Sequence, residues 1–314
     1  MRGVPDPRAG RVATGDPARE LEAAQWSGFE ARLAETVAAV RAETALEPRV
    51  AVILGSGLGG VADRITLSAP HGAIPAGAIF ETAALPHWPH STVPGHAGRL
   101  VLGHWSGVPV VALRGRSHRY EGYPADRVTY GVRVFQALGA RVLLLTNAVG
   151  SMNLRVPPGS LLVARDHLNF QGTRGLLAPR ELPRELTASA ARPTPVYSPR
   201  LRSRLREAAR ELGIPLAEGI LMGGLGPAYE TASEIRAARL WGADVACMST
   251  VMEAAVGARL GLEVGVVSCV TNFATGLSPV PLTHEEVTEV ANRAGAALER
   301  LLGEAIRRTA TSDS

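Results

Sequence analysis

The chain contains no lysine; all 33 of its basic residues are arginine. That excludes Schiff-base lysine catalysis and the phosphate-loop NTPases, whose glycine-rich loop ends in a lysine. Cysteine is almost as scarce. Cys247 and Cys269 both sit in apolar stretches, so there is no disulfide framework, and a reducing, cytoplasmic setting is expected. Aromatic residues make up 4% of the chain, too few to stack the bases of a single strand. The formal net charge of +4 is spread over alternating acids and arginines, as in Arg206, Glu207, Arg210 and Glu211. This pattern describes solvated helix faces, so neither nucleic acid nor membrane is an expected partner. No apolar run reaches the ~18 residues that span a bilayer. Met1 to Asp16 lacks the apolar core of a signal peptide.

What is present is an alternation of short apolar runs and helical patterns. Arg49–Leu54, bounded by glycine, reads as a buried parallel strand. Similar runs are Leu100–Leu102, Val108–Leu113, Val142–Thr146, Leu161–Ala164, Ile220–Met222, Val245–Met248 and Val264–Val270. Helical patterns cover Leu21–Thr44, Ala125–Leu138, Pro199–Leu212, Ala232–Trp241, Val251–Leu260 and Thr283–Arg308. Alternation of this kind predicts an α/β fold with a mixed, largely parallel sheet flanked by helices on both faces. No linker divides the chain. One domain is expected over residues 21–310, preceded by a disordered tail at 1–20, with a long surface loop at 171–198.

Thr231/Glu234, Thr250/Glu253 and Thr283/Glu286 each spell a capping box. Helix N-termini and strand ends converge where open α/β sheets bind ligands, so Tyr229, Glu230, Ser249, Asn272 and His284 are candidates by position. Gly55-Ser56-Gly57-Leu58-Gly59-Gly60 formally matches a dinucleotide fingerprint. The prolines and glycines of Ser68–Gly77 leave no room for its crossover helix and second strand, although Glu81 has the right offset for the acid. A turn that holds a single phosphate or other anion fits better. Arg114, Arg116 and Arg119 crowd one loop with His118, Tyr120 and Tyr123. Arg116 is expected to grip phosphate bidentately, and His118 to add a donor. His87, His90 and His96 share a proline-rich loop with no cysteine or acid to complete a metal set. No metal is expected, and His96 is the functional candidate of the three. No serine-hydrolase elbow is present. Glu230 and Asn272, at two different strand ends, suit the polar edge of a planar heterocycle.

Eight motifs in order, GSGLGG, VPGHAGRLV, GRSHRYEGYP, LLLTNAVGSMN, GPAYET, GADVACMSTVMEA, VTNFATGLS and LTHEEV, make the chain resemble the trimeric purine nucleoside phosphorylases from Val50 to Glu304. The resemblance implies a nucleoside phosphorylase-like fold, a homotrimer and reversible phosphorolysis of purine (2′-deoxy)ribonucleosides. Inorganic phosphate is then a substrate, and no cofactor takes part. It further implies a phosphate site from Ser56, His96, Arg116, His118, the Ala148 N–H and Ser249. Tyr120, Met248 and His284 would line the sugar, and Tyr229, Glu230 and Asn272 the purine. Asn272, Glu230, His118 and His284 are the expected catalytic set. Glu230 as an acceptor favours 6-oxopurines such as those of inosine and guanosine. The family's cross-subunit aromatic position falls on Thr173, with Phe170 and Tyr197 as the two aromatics that could replace it. Asn272 argues against the related methylthioadenosine phosphorylases, which carry aspartate there. A nicotinamide dehydrogenase and a catalytically silent purine-binding protein are the readings from other classes.

Overall fold

A computed structural model describes residues 26–55, 57–68, 77–93, 98–172, 176–177, 195–277 and 284–310. Among the described residues, nine strands form one connected sheet: β1 Val50–Leu54, β2 Ala78–Glu81, β3 Arg99–Trp105, β4 Val108–Arg114, β5 Val142–Ser151, β6 Leu161–Asn169, β7 Leu216–Gly223, β8 Val245–Cys247 and β9 Glu263–Phe273. The helices are α1 Phe29–Glu43, α2 Ala125–Val128, α3 Tyr130–Ala137, α4 Pro199–Glu211, α5 Ala232–Leu240, α6 Val251–Arg259 and α7 His284–Ala310. No helix among the described residues is long and apolar enough to cross a membrane.

The strand order is β2-β3-β4-β1-β5-β8-β7-β6-β9, and β9 returns to pair with β5. One half is therefore an open sheet, and the other closes on itself through β5, β8, β7, β6 and β9. The β1–β4, β1–β5, β5–β9, β6–β7 and β7–β8 pairs are parallel. The other ladders, β2–β3, β3–β4, β5–β8 and β6–β9, are antiparallel.

Central strands read as unbroken apolar runs because both faces are covered. Alternate residues of β5 divide between two cores. Leu143 and Leu145 pack with Phe29 and Leu33 of α1, Val132 and Phe135 of α3, and Ala254 of α6. Leu144 packs with Leu201 and Leu205 of α4 and Leu298, Leu301 and Leu302 of α7. A smaller cluster joins Met222 and Ala246 to Ile235 and Ala238 of α5.

Three expectations change. β2 is a real strand, where the glycine- and proline-rich sequence before it suggested none. It is a short, half-exposed antiparallel edge, and its Glu81 is bound to Arg99 across the ladder at 2.7 Å. The expected single helix at Ala125–Leu138 is broken at Thr129. The hydroxyl of Thr129 donates to the Ala125 carbonyl (2.8 Å) and accepts from Arg133 (2.7 Å). Finally, β5, β6 and β9 run several residues past their apolar stretches into polar sequence.

Candidate active site

Strand β5 supplies the crevice. One of its edges pairs with β9 along the whole strand. The other pairs with β1 as far as Leu145 and with β8 only from Gly150. Between these ladders, residues 146–149 have no strand partner on that edge among the described residues. Splayed strand ends of this kind are where open α/β sheets admit ligands. Ala148, half-buried, lies in the gap. The glycine turn after β1 closes one side of it. A Cβ on Gly55 would stand 2.8 Å from the Thr146 carbonyl oxygen and 2.9 Å from Asn147 Cα, so only glycine allows β1 to turn this close to β5. The Gly55 N–H donates to the Thr146 hydroxyl at 3.1 Å.

Arg116 enters from the loop after β4, and its side chain is buried, 2% exposed. Nη1 donates to Ser249 Oγ (3.2 Å), Thr250 Oγ1 (2.7 Å) and Glu253 Oε2 (3.0 Å). Nη2 donates to the carbonyls of Thr146 (2.5 Å) and Ile53 (3.4 Å). The expected bidentate grip on phosphate by both terminal nitrogens is therefore not the geometry found, because a buried carboxylate and four other oxygens already occupy them. Nor do the three arginines act as a cluster. Arg114 pairs with Asp63 at 2.9 Å, and Arg119 donates to the Tyr123 carbonyl of its own loop at 2.9 Å. Thr250 has φ 73°, a left-handed conformation costly for a β-branched residue. The expected capping box there is absent as well. The Thr250 hydroxyl makes no cap bond, being turned to Arg116. Burial pushes the Glu253 carboxyl up, opposed by the Arg116 charge and the Thr250 N–H.

His118 is 7% exposed and stacks on Tyr120, with ring centroids 4.7 Å apart. Burial, then the Arg116 charge, lowers its pKa to about 4. Glu121 accepts from the His118 backbone N–H (2.6 Å) and bonds its Nδ1 (3.0 Å). It also accepts from the Thr92 N–H (2.6 Å) and hydroxyl (2.9 Å). These hydrogen bonds hold the Glu121 carboxyl below its ordinary range against burial, so it is an acceptor only. The neutral imidazole must then carry its proton on Nδ1, which leaves Nε2 a lone pair. His118 is thus an acceptor at Nε2, not the donor expected from the sequence.

Glu230 folds back over the end of β7. Its Oε1 lies 2.7 Å from where a Cβ on Gly224 would be, which explains glycine there. Burial raises its pKa. A Cβ on Gly226 (φ +68°) would meet Met248 Sδ at 2.5 Å and Tyr120 Cδ1 at 2.9 Å, so these two side chains meet over that glycine. Tyr229 is exposed. Asn272 ends β9. Its Oδ1 accepts from the Thr271 hydroxyl (2.7 Å), and Nδ2 donates to the Phe273 carbonyl (2.9 Å). One N–H of this amide remains to point elsewhere. The box at Thr231/Glu234 forms as expected, with the hydroxyl accepting from Glu234 N–H at 3.2 Å and the carboxylate accepting from Thr231 N–H at 2.6 Å.

Ser56, His96, Thr173, the tail at 1–20, the Thr283/Glu286 box and the side chain of His284 lie outside the described residues. Most of the expected loop at 171–198 does too. His87 binds Glu35 on the surface at 2.6 Å. Tyr197 is buried and bonds His167 Nδ1 at 2.9 Å, so it belongs to the core and cannot wall the crevice. Phe170 is the exposed alternative, beside Trp241 at 5.6 Å. Among the described residues, no three His, Cys, Asp or Glu side chains are grouped to hold a metal.

Four residues at the crevice were not singled out for it from the sequence: Glu253, Glu121, Thr271 and Gly150. Glu253 left a usable signal, an acid within the otherwise apolar face of Val251–Gly257, which demands a buried partner. The other three lie inside the quoted motifs, but nothing in their residue types set them apart.

Comparison with known proteins identifies the family. The family model described as "Phosphorylase superfamily" matches residues 49–307. Purine nucleoside phosphorylase 1 of Geobacillus stearothermophilus is 40% identical over 265 residues, covering 84% of this chain and 92% of that protein. Purine nucleoside phosphorylase of Bos taurus is 38% identical over 268 residues, covering 82% and 88%. Among solved structures, the Schistosoma mansoni purine nucleoside phosphorylase in complex with adenosine superposes with TM-score 0.75 at 28% identity, covering 88% of this chain and 96% of that one. Isoform 2 from the same organism, in complex with cytosine and ribose-1-phosphate, gives TM-score 0.77 at 29% identity over the same shares. With a match over this length and relatives at this identity, the chain belongs to the phosphorylase superfamily.

Proposed function

We propose that this protein is a purine-nucleoside phosphorylase. It exchanges the purine of a (2′-deoxy)ribonucleoside for inorganic phosphate, reversibly, and gives the free base and (2-deoxy)ribose 1-phosphate. Asn272 carries the reading: an amide fixed with its oxygen occupied and an N–H to spare. Breaking the N-glycosidic bond leaves positive charge on the sugar and negative charge on the purine. Phosphate held below the sugar meets the first, and the Asn272 N–H, donated toward the purine, meets the second. One well-placed donor of this kind contributes about 3–4 kcal/mol in the transition state.

In this reading Ser249, the Ala148 N–H, Ser56 and His96 surround the phosphate, with Arg116 behind them. His118 Nε2 accepts the hydrogen of the HPO4²⁻ hydroxyl, a role that follows from its Nδ1 bond to Glu121. Tyr120, Met248 and His284 line the sugar, and Tyr229 lies against the base. Glu230 accepts from the N1–H of a 6-oxopurine. Adenine presents a lone pair there, so a mismatched carboxylate covered by the bound base supports a preference for inosine and guanosine. The reaction needs no metal or organic cofactor. The exposed Phe170, Leu240 and Trp241 supply an apolar surface for self-association, and a cytoplasmic homotrimer completes the proposal.

Purified protein given inosine, guanosine or adenosine, with and without orthophosphate, tests it. Phosphate-dependent release of hypoxanthine and guanine, faster than release of adenine, is expected. Intact inosine and guanosine in ample phosphate would overturn the activity. Asn272→Asp should shift the preference toward adenosine, and an unchanged preference would remove Asn272 from base recognition. Light scattering reads the trimer.

A further inference from the structure

The Arg116–Glu253 pair has a consequence for anion binding. Both side chains are 2% exposed and their charges are 3.0 Å apart. The orientation of Arg116 does not depend on Glu253, because Thr250 Oγ1, Ser249 Oγ and the carbonyls of Thr146 and Ile53 also hold it. What Glu253 alone adds is a carboxylate, its pKa raised by burial but opposed by the Arg116 charge 3.0 Å away, in a site with little solvent to screen it.

We infer that Glu253 is a charge-setting residue of the phosphate site. By neutralising Arg116 it holds phosphate affinity below what the site's shape would allow, so that anion and sugar phosphate can leave. Arg116 donates to Ser249 Oγ at 3.2 Å, so its charge also acts on the hydroxyl that faces the anion in this reading. The inference rests on the phosphorylase reading and deepens it. Substituting Glu253 by glutamine keeps the shape and one acceptor and removes the charge. A small, partly open cavity of about 20 Å³, lined in part by Arg116, Glu253, Ser117 and Trp88, has room for one water to meet the new amide.

The experiment is a titration of wild type and Glu253→Gln with inorganic phosphate alone by calorimetry, followed by KM for phosphate and for inosine. Phosphate should bind about fivefold tighter to the variant, since a unit charge a few ångströms from the anion is poorly screened. KM for phosphate should fall with it, and KM for inosine should stay within about twofold. Damage to a merely structural residue cannot tighten a ligand, so an unchanged or weaker phosphate affinity overturns the inference. If the glutamine variant is too unstable to titrate, Glu253→Asp, which withdraws the carboxylate by one methylene, should show a smaller tightening. Weaker binding by Glu253→Asp likewise overturns the inference. Wild type that binds phosphate but cleaves no nucleoside would count against the phosphorylase reading and leave the charge effect intact.

Discussion

Replacing Gly150 by alanine isolates the placement of one amide. Gly150 opposes Asn272 in the β5–β9 ladder, and the added Cβ would stand 3.0 Å from Asn272 Nδ2 and 3.6 Å from Ala274 Cα. Its φ is not in the left-handed region, so alanine is allowed on backbone grounds. Three ångströms is short for a carbon–nitrogen contact, so the amide must yield by a few tenths of an ångström. The carbon itself fits a strand, and restricting the unfolded chain favours alanine by about 0.4–1 kcal/mol. Stability should therefore change by less than about 1 kcal/mol, which urea unfolding would measure. Catalysis should suffer far more. Misplacing a reacting group by 1 Å costs about a hundredfold, so a few tenths should lower kcat/KM for inosine about tenfold. Phosphate affinity, which does not depend on the Asn272 amide in this reading, should not move. A variant with normal kcat/KM would mean that the position of Asn272 does not govern the chemistry. A variant that loses several kcal/mol of stability would mean that the contact is packed too rigidly to report on it.

Acid should destabilise the protein through His118. The pKa of this histidine is lowered from 6.5 to about 4 in the folded state, so between those values the unfolded chain binds a proton that the folded chain does not. The stability it contributes is present above pH 6.5 and is lost as pH falls toward 4, by about 2 kcal/mol between pH 7 and 5. His118→Asn should flatten the stability–pH profile by that amount, and an equally steep profile would place the acid sensitivity elsewhere. Thr231→Ala removes the hydroxyl of the one capping box observed at α5. It should cost about 1 kcal/mol, lowering Tm by about 2 °C, with recovery in Thr231→Ser. No loss would mean that the first turn of α5 is held by packing alone.

Strand and helix positions were largely legible in the sequence, because burial on both faces writes itself as unbroken apolar runs and solvated helices as periodic ones. Legibility failed where polarity replaced hydropathy. β5 continues through Asn147, β6 through Asp166 and β9 through Asn272, and a sheet extended for function carries side chains that look like loop. Residues of the crevice were legible where a motif or a turn singled them out, as with Glu230, Asn272, Ser249 and Arg116. Their roles were less so. Arg116 looked like a phosphate fork because a sequence shows a guanidinium but not the carboxylate 137 positions away that occupies it. His118 looked like a donor because its tautomer is set by Glu121, and nothing in a sequence gives a proton its address.

The order of residues alone determined the element types, the two-sided burial of the sheet and which loops carry chemistry, since these follow from local periodicity and short-range capping. Only the tertiary structure decided that β9 closes back on β5, that β1 and β8 leave a gap at residues 146–149, and that Glu253 neutralises Arg116. Each of those depends on groups far apart in the chain brought within a few ångströms. Electrostatics and steric exclusion act at that range, and sequence spacing does not record it.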